Sequence, residues 1–439
     1  MTTFSEAFNL AQLGETMHAR MTELYPLCRS ITGEGIRETL RRLPIPLELH
    51  EVPTGTPVLD WTVPKEWNIR DAYVKNARGE KVIDFQAHSL HILNYSIPFR
   101  GVLSLEDLKP HLYTLPDYPD WIPYRTSYYA PNWGFCLRHR DLLALEPGDY
   151  EVVIDSTLED GSLTYGEYYL PGETADDIHP TDEVLISVHS CHPSLCNDNL
   201  SGVMIATTLA QLLANVPHRL SYRFVFVPGT IGSITWLALN EAKLPNIRHG
   251  LVLATVGDAG FLHYKRSRRG DAEIDRAVAH VLKTASAGFE IRDFSPYGYD
   301  ERQYCSPGFN LPVGNLSRTP HGEFPEYHTS ADNLEFVSPE YLADTLEKVL
   351  QVFEVLEGNG RYVNLSPKGE PQLGRRGLYG ALGGRKDSKI SEMAMLWVLN
   401  YSDGNYTLLE IAEKANLAFK YMRRAADALL AAGLLKEIA

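Results

Sequence analysis

The chain has 439 residues, 44% hydrophobic and 22% charged, which is ordinary globular usage and enough length for two or three units around a sizeable core. Its formal net charge of -15 argues against a whole-chain binder of nucleic acid or anionic membrane, and no stretch approaches the ~20 consecutive apolar residues of a membrane span. Five cysteines, an odd number (Cys28, Cys136, Cys191, Cys196, Cys305), lack the dense even spacing of a secreted disulfide framework, and Met1 to Glu6 shows no basic segment ahead of an apolar run, so a cytoplasmic location is expected.

Phe8, Leu10, Leu13, Met17 and Met21 recur near helical spacing and predict a helix, with a second after Ser30-Ile31-Thr32-Gly33-Glu34-Gly35. A short strand from Leu47 to Val52 ends at the turn signal Pro53-Thr54-Gly55-Thr56-Pro57. The texture then changes. Residues 58–170 hold Trp61, Trp67, Trp121 and Trp133 among many Tyr and Pro, with short strand-like runs such as Tyr150 to Ile154, and read as a β-rich inserted subdomain. Its aromatics are expected to fill its own core rather than stack a ligand.

From about residue 181 strands and helices alternate. Glu183 to His189, Tyr222 to Val227 and Leu251 to Val256 are buried-strand candidates, separated by helices at Leu200 to Ala214 and Ile234 to Ala242. This predicts an α/β fold with a mainly parallel sheet flanked by helices, its core running over 1–57 and 171–370. Sites in such sheets form beyond the carboxyl ends of the strands. A Gly/Arg-rich stretch from Gly374 to Gly384 reads as a linker. Beyond it, three short helices (Ile390 to Leu399, Thr407 to Ala415, Ala418 to Ala432) give residues 386–439 the pattern of a winged-helix module. Seven Lys/Arg there are balanced by seven Asp/Glu, so packing or homo-oligomer contacts are expected of it, with no nucleic-acid or membrane partner.

Chemistry concentrates in His189-Ser190-Cys191-His192-Pro193-Ser194-Leu195-Cys196-Asn197-Asp198-Asn199-Leu200-Ser201-Gly202, at a strand's carboxyl end and the loop leading into a helix. Imidazole and carboxylate are normal zinc ligands. Alone, Asp198 would read as a helix cap. Two further elements change that: Asp258 in Val256-Gly257-Asp258-Ala259-Gly260, just past another core strand, and His328 in Pro325-Glu326-Tyr327-His328-Thr329.

The order His…Asp-x-x-Ser-Gly…Asp…Tyr-His-Thr resembles the zinc exopeptidases that include bacterial leucyl aminopeptidase and glutamate carboxypeptidase, over about 181–350 and the N-terminal helices. With its insertion and winged helix, the whole chain looks like the bacterial aminopeptidase-like proteins linked to polysaccharide or specialised-metabolite gene clusters. The resemblance implies metal ligands at His189, Asp198, Asp258 and His328. It also exposes a departure. The family's Pro-Glu-Glu-x-Gly is Pro228-Gly229-Thr230-Ile231-Gly232 here, so its general base and one zinc ligand are missing. One zinc ion is expected rather than two, held by Asp198 and His328 with His189 or Asp258.

The lost base needs a substitute. Glu301, with Asp300 second, is the candidate, because the family places acidic residues in the corresponding loop. An exposed acid paired with Arg302 is the plain alternative. His192, Arg302, Arg318 and His321 are candidates for substrate contact, and Cys191 stands where the family has a carboxylate orienting the first His. The expected activity is zinc-dependent, aminopeptidase-like hydrolysis of a peptide or amide bond through metal-bound hydroxide, on a small peptide or aminoacyl-amide near a free amino terminus. Single-zinc aminoacyl transfer like that of glutaminyl cyclases, or a non-catalytic metal-binding assembly protein, are the alternatives.

Overall fold

The computed structural model describes residues 8–173, 182–285, 288–378 and 386–438. Part of the expected linker and the N-terminal hexapeptide lie outside them. Two helices open the chain, α1 (Leu10–Leu24) and α2 (Glu34–Arg41), followed by strand β1 (Glu48–Pro53). The insertion contributes β2 (Glu66–Lys75), β3 (Lys81–Asp84), β4 (Phe99–Ser104) and β5 (Asp149–Glu159). The core resumes with β6 (Ser162–Leu170), β7 (Glu183–His189), α3 (Gly202–Leu213), β8 (Ser221–Val227), α4 (Ile231–Leu239) and β9 (Ile247–Leu253). It continues through β10 (Leu262–Lys265), α5 (Glu273–Ala285), β11 (Phe289–Arg292), β12 (Val313–Ser317) and α6 (Pro339–Gly358). The last elements are β13 (Arg361–Asn364), α7 (Lys386–Tyr401), β14 (Asp403–Thr407), α8 (Leu408–Ala415), α9 (Phe419–Ala431) and β15 (Leu435–Ile438).

Eight strands form the central sheet in the order β1-β6-β8-β7-β9-β12-β10-β11. Its middle is parallel, with β7 between β8 and β9, and β9 beside β12. Every residue of β7 and β8 is buried, as a run like Val184-Leu185-Ile186 requires when helices cover both faces. Ten of the twelve residues of α3 are buried too, which accounts for its apolar character on most faces. The expected α/β architecture is therefore the observed one.

The insertion folds as an antiparallel sheet, β3-β2-β5-β4. Its boundary differs from 170: β6 pairs antiparallel with both β1 and β8, so the return strand belongs to the central sheet. Trp67 behaves as expected of a core aromatic, fully packed and with its indole N–H on the Ser96 carbonyl at 2.9 Å. Trp61 does not; it stays exposed beside Tyr129.

The winged module begins earlier than 386. β13 pairs with β14 and β15 in a three-stranded sheet, so its first strand follows directly on α6. Arg276 on α5 ties the module to the core through Glu410, 3.2 Å away, and Glu413. Among the described residues no helix is long and apolar enough to cross a membrane.

One charged group crosses the sheet itself. Arg223 on β8 pairs with Glu167 on β6 at 2.5 Å and with Glu183 on β7 at 2.7 Å, all three buried. Trp236 on α4 adds an indole N–H to Glu167 at 2.6 Å.

Candidate functional site

The parallel strands deliver their carboxyl ends to one edge of the sheet, and the loops leaving β7, β8, β9 and β12 meet there. His189 is the last residue of β7. Its Nε2 lies 2.5 Å from one oxygen of Asp198, and Nε2 of His328 lies 2.9 Å from the other. Ligand atoms of His189, His192 and Asp198 fall within 4.8 Å of one another. Three imidazoles thus converge on one buried carboxylate. Burial alone would raise the Asp198 pKa, but the charges of His192 and His189 and the bonds from His189 and His328 outweigh it and hold the carboxyl well below its ordinary range. Burial holds His192 well below the usual histidine range, against the opposing pull of Asp198.

The loop carrying Asp198 is fixed by residues that chain position alone does not mark. Asp332 accepts the amides of Cys196, Asn197 and Asp198 at 3.2, 2.6 and 2.9 Å, so the segment after His328 holds the Asp198 loop. Burial pushes the Asp332 carboxyl up to about 7 against the pull of those amides. Asn199 donates to the carbonyls of His189 and Leu253, and Asn197 accepts the Gly257 amide, stapling β7 and β9 together. The only advance signal was polar density: Asn197 and Asn199 flank Asp198, and Asp332 follows His328 by four positions.

The insertion reaches the same place. The Tyr124 amide donates to the His328 carbonyl at 2.7 Å, and the Ser330 amide donates to the Ile122 carbonyl at 2.8 Å. His328 sits at φ 56°, a left-handed conformation rarely adopted by a histidine, and these bonds hold it there. The Tyr124 ring stands edge-on to His192 and His328 at 5.1 and 5.0 Å.

Three sequence candidates turn out to be committed elsewhere. Asp258 stays out of the cluster: one oxygen accepts the Thr319 hydroxyl and the Gly260 amide at 2.6 and 2.7 Å, the other the Asn197 amide group and the Thr319 amide. Arg318 is buried, donating to the Gly260 carbonyl and paired with Asp344 at 2.8 Å. Glu301 is buried rather than exposed and pairs with Lys265 at 2.5 Å instead of Arg302, while both its oxygens accept the Tyr299 amide. Asp300 accepts the Ser233 hydroxyl through one oxygen and leaves the other without a partner among the described residues; burial pushes its carboxyl up to about 6.

Tyr299 is the residue that sequence reasoning missed. Its ring centroid lies 3.9 Å from that of His189, and a Cβ on Gly229 would come within 2.2 Å of its Cε1 and 2.5 Å of its hydroxyl. Cys191 turns to the Gly229 amide at 3.1 Å and not to His189, whose Nδ1 has no partner among the described residues. Above the cluster opens a cavity of about 280 Å³, lined by His192 and His328, by Tyr299, Arg302 and His321, and by Trp61, Tyr128 and Tyr129 of the insertion. The candidates Arg302 and His321 are thus among its lining residues.

Known proteins resemble this chain to different depths. A protein of Clostridium acetobutylicum, provisionally named for polysaccharide biosynthesis with an aminopeptidase-like domain, is 53% identical over 98% of both chains. A crystal structure from Clostridium acetobutylicum, provisionally named a peptidase, superposes with a TM-score of 0.92 at 51% identity over 98% of each chain. A zinc aminopeptidase from Bacillus subtilis shares the fold at a TM-score of 0.56 and 14% identity, covering 78% of this chain and 94% of its own. Residues 360–437 match the winged helix-turn-helix family, and residues 18–359 match a family described as a domain of unknown function, DUF4910. On that match, together with a relative identical at half its positions from end to end, the chain belongs to the DUF4910 family, built on an aminopeptidase-like α/β fold.

Proposed function

We propose that the chain is a zinc-dependent hydrolase of a peptide or amide bond, with one zinc ion held by His189, Asp198 and His328. The observation that carries this is the convergence of both imidazole Nε2 atoms on the two oxygens of Asp198. Two imidazoles and one carboxylate are a normal donor set for a catalytic zinc with an open position. The buried Nδ1 of His189 also has no partner among the described residues. A second ion finds no support: Gly229 has no side chain, and Tyr299 fills the space beside it.

When bound, zinc polarises the scissile carbonyl and brings the pKa of a coordinated water to about 7. The remaining chemistry falls to the chain. Glu301 is locked to Lys265 and is absent from the cavity wall, so no proton is assigned to it. His192 lines the cavity beside the ligands, is kept neutral by burial, and is assigned the proton that passes from water to the leaving nitrogen. Tyr299 offers a hydroxyl that no described residue engages, on the cavity wall beside His189, and is assigned the hydrogen bond to the oxygen that gains charge.

Metal analysis and a turnover panel of peptides and acyl-amides test this reading. One zinc per chain is expected, lost in His328→Ala with the fold retained. His192→Ala should keep the metal and lose turnover. A zinc-loaded chain that turns over nothing on the panel would overturn the hydrolase and leave a metal-binding assembly protein.

A further inference from the structure

The cavity has an unusual charge for a site that would receive a free amino terminus. Among the described residues that line it there is no aspartate or glutamate; its ionisable groups are Arg302, imidazoles, tyrosines and a thiol. Most of the carboxylates nearby are occupied, and Asp300, which keeps one oxygen without a partner among the described residues, is buried and is not part of the lining. Asp198 is engaged by two imidazoles, Glu301 by Lys265 and the Tyr299 amide, Asp332 by three backbone amides, and Asp258 by Thr319, Gly260 and Asn197. An ammonium group entering here would lose water and meet no carboxylate on the cavity wall, which is costly in a partly enclosed space.

Arg302 shows the opposite. It lines the cavity, makes no ion pair among the described residues, and keeps a buried Nε without a partner. Asp300, two positions earlier in the chain, feels its charge, but no hydrogen bond joins them and Asp300 turns one oxygen to Ser233. A guanidinium with an unsatisfied donor presents a fork that suits a carboxylate. Trp61, Tyr128 and Tyr129 in the same lining supply apolar surface for a ring-bearing body.

We infer that the cavity recognises the acidic part of its substrate: the bond cleaved is an amide in a small molecule whose cavity-side half carries a carboxylate, held by Arg302. N-acyl amino acids and short peptides with a free carboxyl group belong to this class. Aminoacyl-amides with only a free amine do not. The inference rests on the hydrolase reading for the word substrate, while the anion preference of the cavity stands on Arg302 and the lining alone.

The test uses the full chain loaded with zinc and two probes of similar size, 3-phenylpropionate and phenethylamine, titrated by calorimetry. The carboxylate is expected to bind at least tenfold more tightly than the amine, and Arg302→Met to lose at least tenfold in carboxylate affinity while Arg302→Lys recovers part of it. Equal or tighter binding of the amine to the unmutated protein overturns the inference, whether or not the variants fold. A smaller loss in a folded Arg302→Met also overturns it, because the metal alone would then take the carboxylate. In turnover, an N-acyl amino acid should exceed its own carboxamide at least tenfold in kcat/KM. If no amide of either kind is cleaved but the probe preference and its loss in Arg302→Met hold, the hydrolase reading fails and the anion site survives.

Discussion

Tyr299 occupies the space that a side chain on Gly229 would need, with its Cε1 2.2 Å from the position of the missing Cβ. The two residues come from loops seventy positions apart. A side chain at Gly229 would displace the ring, which is also packed at 3.9 Å on His189.

Gly229→Ala should therefore push the ring out and cost about 1–3 kcal/mol of stability, as overpacking does. Tyr299→Phe keeps the packing and removes only the hydroxyl. Its turnover should fall by about 10²–10³, the range for losing one oxyanion donor, with zinc content unchanged. Thermal melts, metal analysis and kcat separate the two variants. Full activity in Tyr299→Phe would remove the hydroxyl from the mechanism.

Asp332→Asn leaves a partner for some of the three amides but removes the charge that gathers them. Metal affinity should drop about 10–100-fold, the usual cost of disturbing a residue that orients a ligand. Competition with a chelator measures it, and an unchanged zinc Kd would show that the Asp198 loop holds its shape unaided.

Glu301→Gln should behave as a stability variant. It strips the buried partner from Lys265, and breaking such a pair costs about 3–5 kcal/mol at full burial; Lys265 is itself nearly buried, so the lower end is expected. At a temperature where the variant is folded, turnover should stay within a few-fold. A large loss of kcat with an unchanged melting temperature would return Glu301 to the chemistry.

Acid should loosen the Arg223 network. Burial by itself would raise the Glu167 pKa, but the Trp236 indole and the Arg223 and Lys243 charges outweigh it and hold the carboxyl below its ordinary range. The unfolded chain therefore takes up this proton first as pH falls. The stability contributed at neutral pH is expected to decline as pH drops through about 4.3, the ordinary glutamate value, and below. Denaturant unfolding across pH 3–7 checks this as an order-of-magnitude window. Arg223→Ala should be destabilised throughout, by about 3–5 kcal/mol at neutral pH, because it strands buried carboxylates.

Periodicity and spacing determined much of this protein. The strand at Glu183 to His189 was legible to the residue, because a run buried on both faces is written in consecutive apolar side chains. The α/β class, the inserted sheet and the winged module were legible for the same local reason. His189, Asp198 and His328 stood out as candidates through their order in the chain and the resemblance it carries, and their polar atoms meet in the structure.

Tertiary structure decided what each polar group has left to give. Asp258 looks like a ligand until Thr319, sixty-one residues away, takes its oxygens, and Glu301 looks like a base until Lys265 pairs with it. Asp332 meets the Asp198 amide across one hundred and thirty-four residues. The insertion's aromatics divided between its own core, as Trp67, and the cavity wall, as Trp61, Tyr128 and Tyr129. Secondary structure is read from neighbours in the chain. A carboxylate's freedom to bind metal or proton depends on which donors reach it in space, and those come from anywhere in the sequence.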